Sequence, residues 1–184
     1  DWFHNNGLAY DAENDLVLLS ARHKDAIVAV NKEDKSLAWI LGDPTGWDGV
    51  DQSYFFTPEG EDFEWFYAQH NVSILDNGDI ALFDNGTAKV KRVDGDNRVS
   101  GDNVYSRAVV YQIDTENMTV SQVTEYGKER GADWYSDWIS GVVSLDGTQD
   151  HLWITAGSHL HSDEENRSDY YPKDMFVQGL TKTT

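Results

Sequence analysis

Short, apolar, β-prone runs bounded by polar turn segments recur in the same order along the chain, and this pattern restricts the fold more than any other feature. The first set comprises Leu16–Ser20, Ala26–Val30 and Leu37–Leu41, separated by Arg22-His-Lys-Asp25 and Asn31-Lys-Glu-Asp-Lys35. A second set runs through His70–Leu75, Ile80–Phe83, Ala108–Ile113 and Thr119–Tyr126. Between its first two runs, Asp76-Asn-Gly-Asp79 predicts a hairpin closed by a type I′ turn. A third set begins near Trp138–Leu145, turns at Asp146-Gly147 and continues as His151–Thr155. Amphipathic helical periodicity is nearly absent, which argues against α/β folds with crossover helices.

Superposing the first two sets places His4-Asn5 on His70-Asn71. Repeats of four short strands joined by tight turns point to β-propeller blades, with an all-β sandwich as the competing architecture. The expectation is an all-β, single partial β-propeller domain over residues 1–184, with about three blades near 1–68, 69–134 and 135–184. Three blades leave edge strands unpaired. The chain therefore reads as a piece of a longer propeller, or as one that associates with other copies. Two segments break the pattern: Gly42–Ala68, rich in Trp, Tyr and Phe, and the polar Lys89–Asn103. Both read as long loops on a propeller face. The aromatic one either walls a pocket for a flat ring or fills the space between blades.

Charge narrows the partners. Against 14 Lys+Arg stand 33 Asp+Glu, a formal charge of −19. This excludes general nucleic-acid binding and disfavours an anionic membrane surface. A hydrophobic fraction of 39% with 12% aromatics also excludes a disordered acidic tail. With Cys 0, disulfides, thiolate metal sites and a cysteine nucleophile are ruled out.

The six histidines carry the candidate chemistry. His4 and His70 fall at matching repeat positions at the start of inner strands, which line the central channel of a propeller. Each either converges on a shared site or bonds a neighbouring blade. His159 sits among small residues in Thr155-Ala-Gly-Ser-His-Leu160, and His161 shares its face if the segment is extended. His151 reads as a turn residue and His23 as a solvent-facing one. Three converging histidines would suit Zn²⁺, but only the His159/His161 pair has supporting spacing, and no metal or other cofactor is expected. Phosphate-cradling glycine motifs and a G-x-S-x-G elbow are absent from the sequence.

Several segments, in order from residue 1 to about 160, resemble the bacterial arylsulfate sulfotransferases. They are Asp1-Trp-Phe-His-Asn-Asn-Gly7, Leu18-Leu-Ser-Ala-Arg-His23, Trp39-Ile-Leu-Gly42, Gln69-His70, Phe83-Asp-Asn-Gly86, Tyr105-Ser-Arg107, Glu125-Tyr-Gly-Lys-Glu-Arg-Gly131 and Ala156-Gly-Ser-His-Leu160. The resemblance implies a six-bladed propeller enzyme that moves a sulfuryl group from a phenolic sulfate ester to a phenol, without a nucleotide sulfate donor. It implies His159 as the nucleophile that forms a sulfohistidine, with His161 as the alternative. His4 and His70 would bind the sulfuryl oxygens and exchange a proton with the phenolic oxygen.

The family's Arg after Phe-Asp-Asn-Gly is replaced here by Thr87-Ala-Lys89. Lys89 keeps the charge without the guanidinium fork. Lys91, Arg92 or Arg107 would then supply the missing cation, and Asn71 joins Lys89 and Arg107 as substrate-binding candidates. The partners implied are a small phenolic sulfate donor and a phenol acceptor, and the implied location is extracytoplasmic, periplasmic or secreted. Two other readings compete: a non-catalytic propeller used for binding or scaffolding, and a metal-dependent hydrolase built on the histidine cluster.

Overall fold

The computed structural model describes residues 2–87 and 105–157 in full and the backbone of 176–181. The first sheet is a four-stranded antiparallel meander of β1 (Asn5–Asp11), β2 (Leu16–Ala21), β3 (Ala26–Asn31) and β4 (Leu37–Gly42). The second runs through β6 (His70–Ile74), β7 (Ile80–Asp84), β8 (Arg107–Asp114) and β9 (Thr119–Tyr126). The third contains β10 (Ser140–Ser144), β11 (His151–Ala156) and β12 (Phe176–Thr181). Successive inner strands are neighbours, β1 against β6 and β6 against β10. Among the described residues the three sheets stack as blades in an open arrangement of the β-propeller type.

Two apolar cores hold the blades together. Leu18, Ile27, Trp39 and Leu41 of the first blade meet Val72, Leu82, Val109 and Tyr111 of the second. On the opposite face of the second blade, Ala81, Phe83 and Val110 meet Trp134, Val142, Leu152 and Ile154. A sheet whose strands alternate between these two faces must be apolar on both, and β7 is buried along its whole length.

In the aromatic segment after the first blade, Phe55, Phe56 and Phe66 serve as packing between and beside the blades. Phe56 and Phe66 are fully buried in the first interblade core, Phe56 lying edge-on to Trp39 with ring centroids 5.5 Å apart. Phe55 closes the other face of the first blade together with Trp47. Within the same segment β5 (Thr57–Glu59) pairs in parallel with β9, so the second sheet has five strands.

The β6–β7 hairpin forms, but its turn is not type I′. Gly78 takes φ 86° while Asn77 stays at negative φ, and the Gly78 amide donates to the Leu75 carbonyl at 2.9 Å. A type I′ turn needs positive φ at both central residues. One left-handed glycine after a turn gives the three-residue alternative instead.

Strand register corrects the alignment of the repeats. A bulge after Asn5 sets Asn5–Leu8 opposite Ala21–Leu19, and the same bulge sets His70–Ser73 opposite Phe83–Ala81. His70 therefore matches Asn5, and Asn71 matches Asn6. His4 sits one residue earlier, ahead of the strand, at φ 49°. Asn6 Nδ2 donates to the Gln69 carbonyl at 2.7 Å, and Asn71 Nδ2 to the Val142 carbonyl at 2.8 Å. The two asparagines thus staple each inner strand to the next. A Cβ at Gly7 would lie 2.8 Å from Asn71 Cα, so β1 and β6 touch backbone to backbone.

Candidate functional site

The inner strands start at one rim of the blade stack, and the second strand of each blade, being antiparallel, ends there. That topology gathers His4 and His70 with the residues that follow β2 and β7. The Arg22 amide donates to the His4 carbonyl at 3.1 Å, anchoring the short 3-10 turn Arg22–Lys24 against the His4 residue. The His4 ring lies against His23, with centroids 4.8 Å apart.

His70 is half-buried and held from two sides. Its Nδ1 lies 2.8 Å from Asn85 Oδ1. The Asn85 amide group is itself oriented, because Nδ2 donates to the Ser136 carbonyl at 2.6 Å and to Ser140 Oγ at 3.3 Å. Its oxygen must therefore face the imidazole, and the His70 proton sits on Nδ1. Nε2 is left with its lone pair, which accepts from the Ile139 amide at 3.3 Å. Burial lowers the His70 pKa most, Asn85 opposes that, and Arg22 and His4 push it further down. The His4 pKa is also lowered, by burial first and then by His23 and Arg22. Both imidazoles are thus held toward the neutral form, suited to accepting a proton.

Arg22 extends this group of residues. From the end of β2 its Nη2 reaches the carbonyl of Asp137, just ahead of β10, at 3.3 Å. Thr87 Oγ1 donates to the same carbonyl at 2.7 Å. Buried Tyr135 has its hydroxyl pushed up to about 12, by burial first, with Arg22 opposing. Sequence reading took Arg22 for a residue of a polar turn. The signal available was topological: the last residues of a second strand share the rim with the first residues of the inner strand.

Arg107 and Asn71 take packing roles. Arg107 is fully buried, with Nε 2.9 Å from Asp84 Oδ2 and Nη1 on Glu125, and its remaining donors reach Gln122, Tyr111 and the Glu64 and Trp65 carbonyls. Burial raises the Asp84 carboxyl, against which Arg107 and the amides of Tyr67 and Gly86 hold its charge. The donors of Arg107 are directed into the second blade and the Glu64-Trp65 segment packed on it. Asn71 serves as the staple described above. Of the other two histidines among the described residues, His23 is exposed in its turn, and His151 opens β11 with Nδ1 on Asp146. His159, His161 and Lys89 lie outside the described residues. Among the described residues, no three His, Asp or Glu side chains are placed to hold a metal ion.

Comparison with known proteins bears on the whole length. A family model described as Arylsulfotransferase (ASST) matches residues 1–178. An arylsulfate sulfotransferase AssT of Escherichia coli is 32% identical over 201 residues, covering 97% of this chain and 32% of the relative. The AssT of Lelliottia amnigena is 33% identical over the same shares. The chain spans about a third of the length of these curated relatives.

Proposed function

This chain belongs to the arylsulfotransferase family, and from that premise we propose that its rim forms part of a channel that moves a sulfuryl group from a phenolic sulfate ester to a phenol. One observation carries the reading: His4, just ahead of one inner strand, and His70, which opens the next, share their rim with Arg22, and both have pKa values below the ordinary histidine value. Neutral imidazoles beside a fixed cation suit an anionic ester whose oxygen gains and loses a proton.

In this reading a lone pair of His159 forms a bond to sulfur as the bond from sulfur to the aryl oxygen breaks, and the phenolate leaves. An acceptor phenol then gives its proton to a rim imidazole as its oxygen bonds to sulfur and the bond from nitrogen to sulfur breaks. The imidazolium returns that proton to the phenolate released in the next cycle. His70 suits the proton transfer once the phenolic oxygen takes the place of the Ile139 amide at Nε2, the nitrogen that the contact with Asn85 leaves without a proton. Two-step transfer implies ping-pong kinetics. The extracytoplasmic location and self-association through open blade faces belong to the same proposal. Leu8, Val143 and Trp153 are exposed on the outer blades.

The test is an assay of the natural protein carrying this sequence, with 4-nitrophenyl sulfate, with and without phenol, and with a chelator. Nitrophenol release that needs phenol and ignores the chelator supports transfer. Release without any acceptor points to hydrolysis, chelator-sensitive release points to metal-dependent hydrolysis, and silence from the folded protein leaves a binding module.

A further inference from the structure

We propose that Arg22 binds the anionic group of the ligand at this rim. Its identity as a sulfate ester rests on the reading above, whereas the anion site rests on geometry. The Arg22 backbone is fixed on blade one by the His4 carbonyl, and its side chain crosses to the Asp137 carbonyl at the entrance to blade three. The inner strand of blade two, which begins with His70, lies between those blades. The guanidinium therefore spans the rim beside His70.

A guanidinium has five donors in a planar fork that matches the oxygens of a sulfate or phosphate. Arg107 shows what a structural arginine looks like in this chain: buried, with three carboxylates (Glu64, Asp84 and Glu125) and two carbonyls around its fork. Arg22 is half-buried, and among the described residues its fork meets a single neutral carbonyl. A cation set beside two imidazoles in a chain of charge −19 is complementary to an anion. Burial lowers the pKa values of His4 and His70 most, and the charge of Arg22 adds to the shift at both rings.

The experiment titrates the natural protein carrying this sequence with inorganic sulfate and with 4-nitrophenyl sulfate at low ionic strength, following calorimetry and the imidazole signals of His4 and His70 by NMR. Wild-type protein should bind both. Arg22→Gln should weaken both by about 10- to 100-fold, with Arg22→Lys in between. Thr87→Val removes a second donor to the Asp137 carbonyl and should leave affinity unchanged. Wild-type affinity in Arg22→Gln overturns the proposal. So does an equal loss in Thr87→Val, since Arg22 would then act only as an interblade staple. Arg22-dependent binding of inorganic sulfate without binding of the aryl ester supports the anion site and removes the aryl sulfate reading. Binding of neither ligand by the wild type overturns both.

Discussion

Asn85 Oδ1 lies 2.8 Å from His70 Nδ1, and this contact decides which nitrogen of the histidine carries the proton. Asn85 is fully buried and fixed by its own bonds to Ser136 and Ser140, so it can present only oxygen to the ring. A buried amide used in this way sets a tautomer, as the carboxylate does in other histidine sites.

Replacing Asn85 with Leu should free the His70 tautomer and slow sulfuryl transfer by about 10²-fold, within the range of general acid–base contributions. Asn85→Asp should instead raise the His70 pKa by placing a carboxylate beside it. Two-dimensional ¹H–¹⁵N spectra of the imidazole read both effects directly. An unchanged tautomer in Asn85→Leu would mean the Ile139 amide alone fixes the ring.

Stability should depend on pH through the rim. His70 has a folded pKa below the ordinary 6.5, set by burial, Arg22 and His4 against Asn85, and His4 shifts in the same direction. The unfolded chain then binds more protons than the folded one near that pH, so stability is complete above 6.5 and falls as pH drops through it. Asp146, held at about 2 by His151, titrates far below this window. The melting temperature should fall between about pH 7 and pH 5, and His70→Gln should flatten that slope.

Arg107 should be a stability residue. Arg107→Ala leaves buried Asp84 without its cation and should cost about 3–5 kcal/mol. Arg107→Lys cannot reproduce the fork and should recover only part of that. Urea denaturation measures both. The paired change Asp84→Leu with Arg107→Met should cost less than the sum of the single changes, because no buried charge is stranded.

Gly127 explains a motif that looks functional in the sequence. It sits at φ 107°, and a Cβ there would run into the ring of fully buried Trp134. Gly127→Ala should therefore lower stability by about 1–3 kcal/mol from strain and overpacking. The buried Trp134 ring supplies a fluorescence signal for its unfolding.

Most strands were legible because their apolar runs and turn residues are local properties. Leu16–Ala21 and Thr119–Tyr126 needed nothing from the rest of the chain. β5 was hidden because Thr57-Pro-Glu59 is short and exposed, and pairs only with a strand some sixty residues away. The repeat alignment slipped by one because matching His-Asn pairs are visible in the sequence, whereas a bulge is not. At the candidate site, His4 and His70 were read as equivalent repeat positions, an equivalence that the strand register does not keep. Arg22 and Asn85 were missed because their importance comes from the sheet topology that brings second-strand ends to the same rim. Arg107 misled in the opposite direction: a spare cation in the sequence is a buried knot in the blade.

The central claim is sulfuryl transfer through a histidine, and mass spectrometry tests it most directly. The natural protein carrying this sequence would be mixed with 4-nitrophenyl sulfate without acceptor, quenched at alkaline pH and digested. Sulfuryl transfer predicts one sulfuryl group on the peptide containing His159, lost when phenol is added before the quench. Phenol-dependent nitrophenol release with no histidine modified at any time point would contradict it.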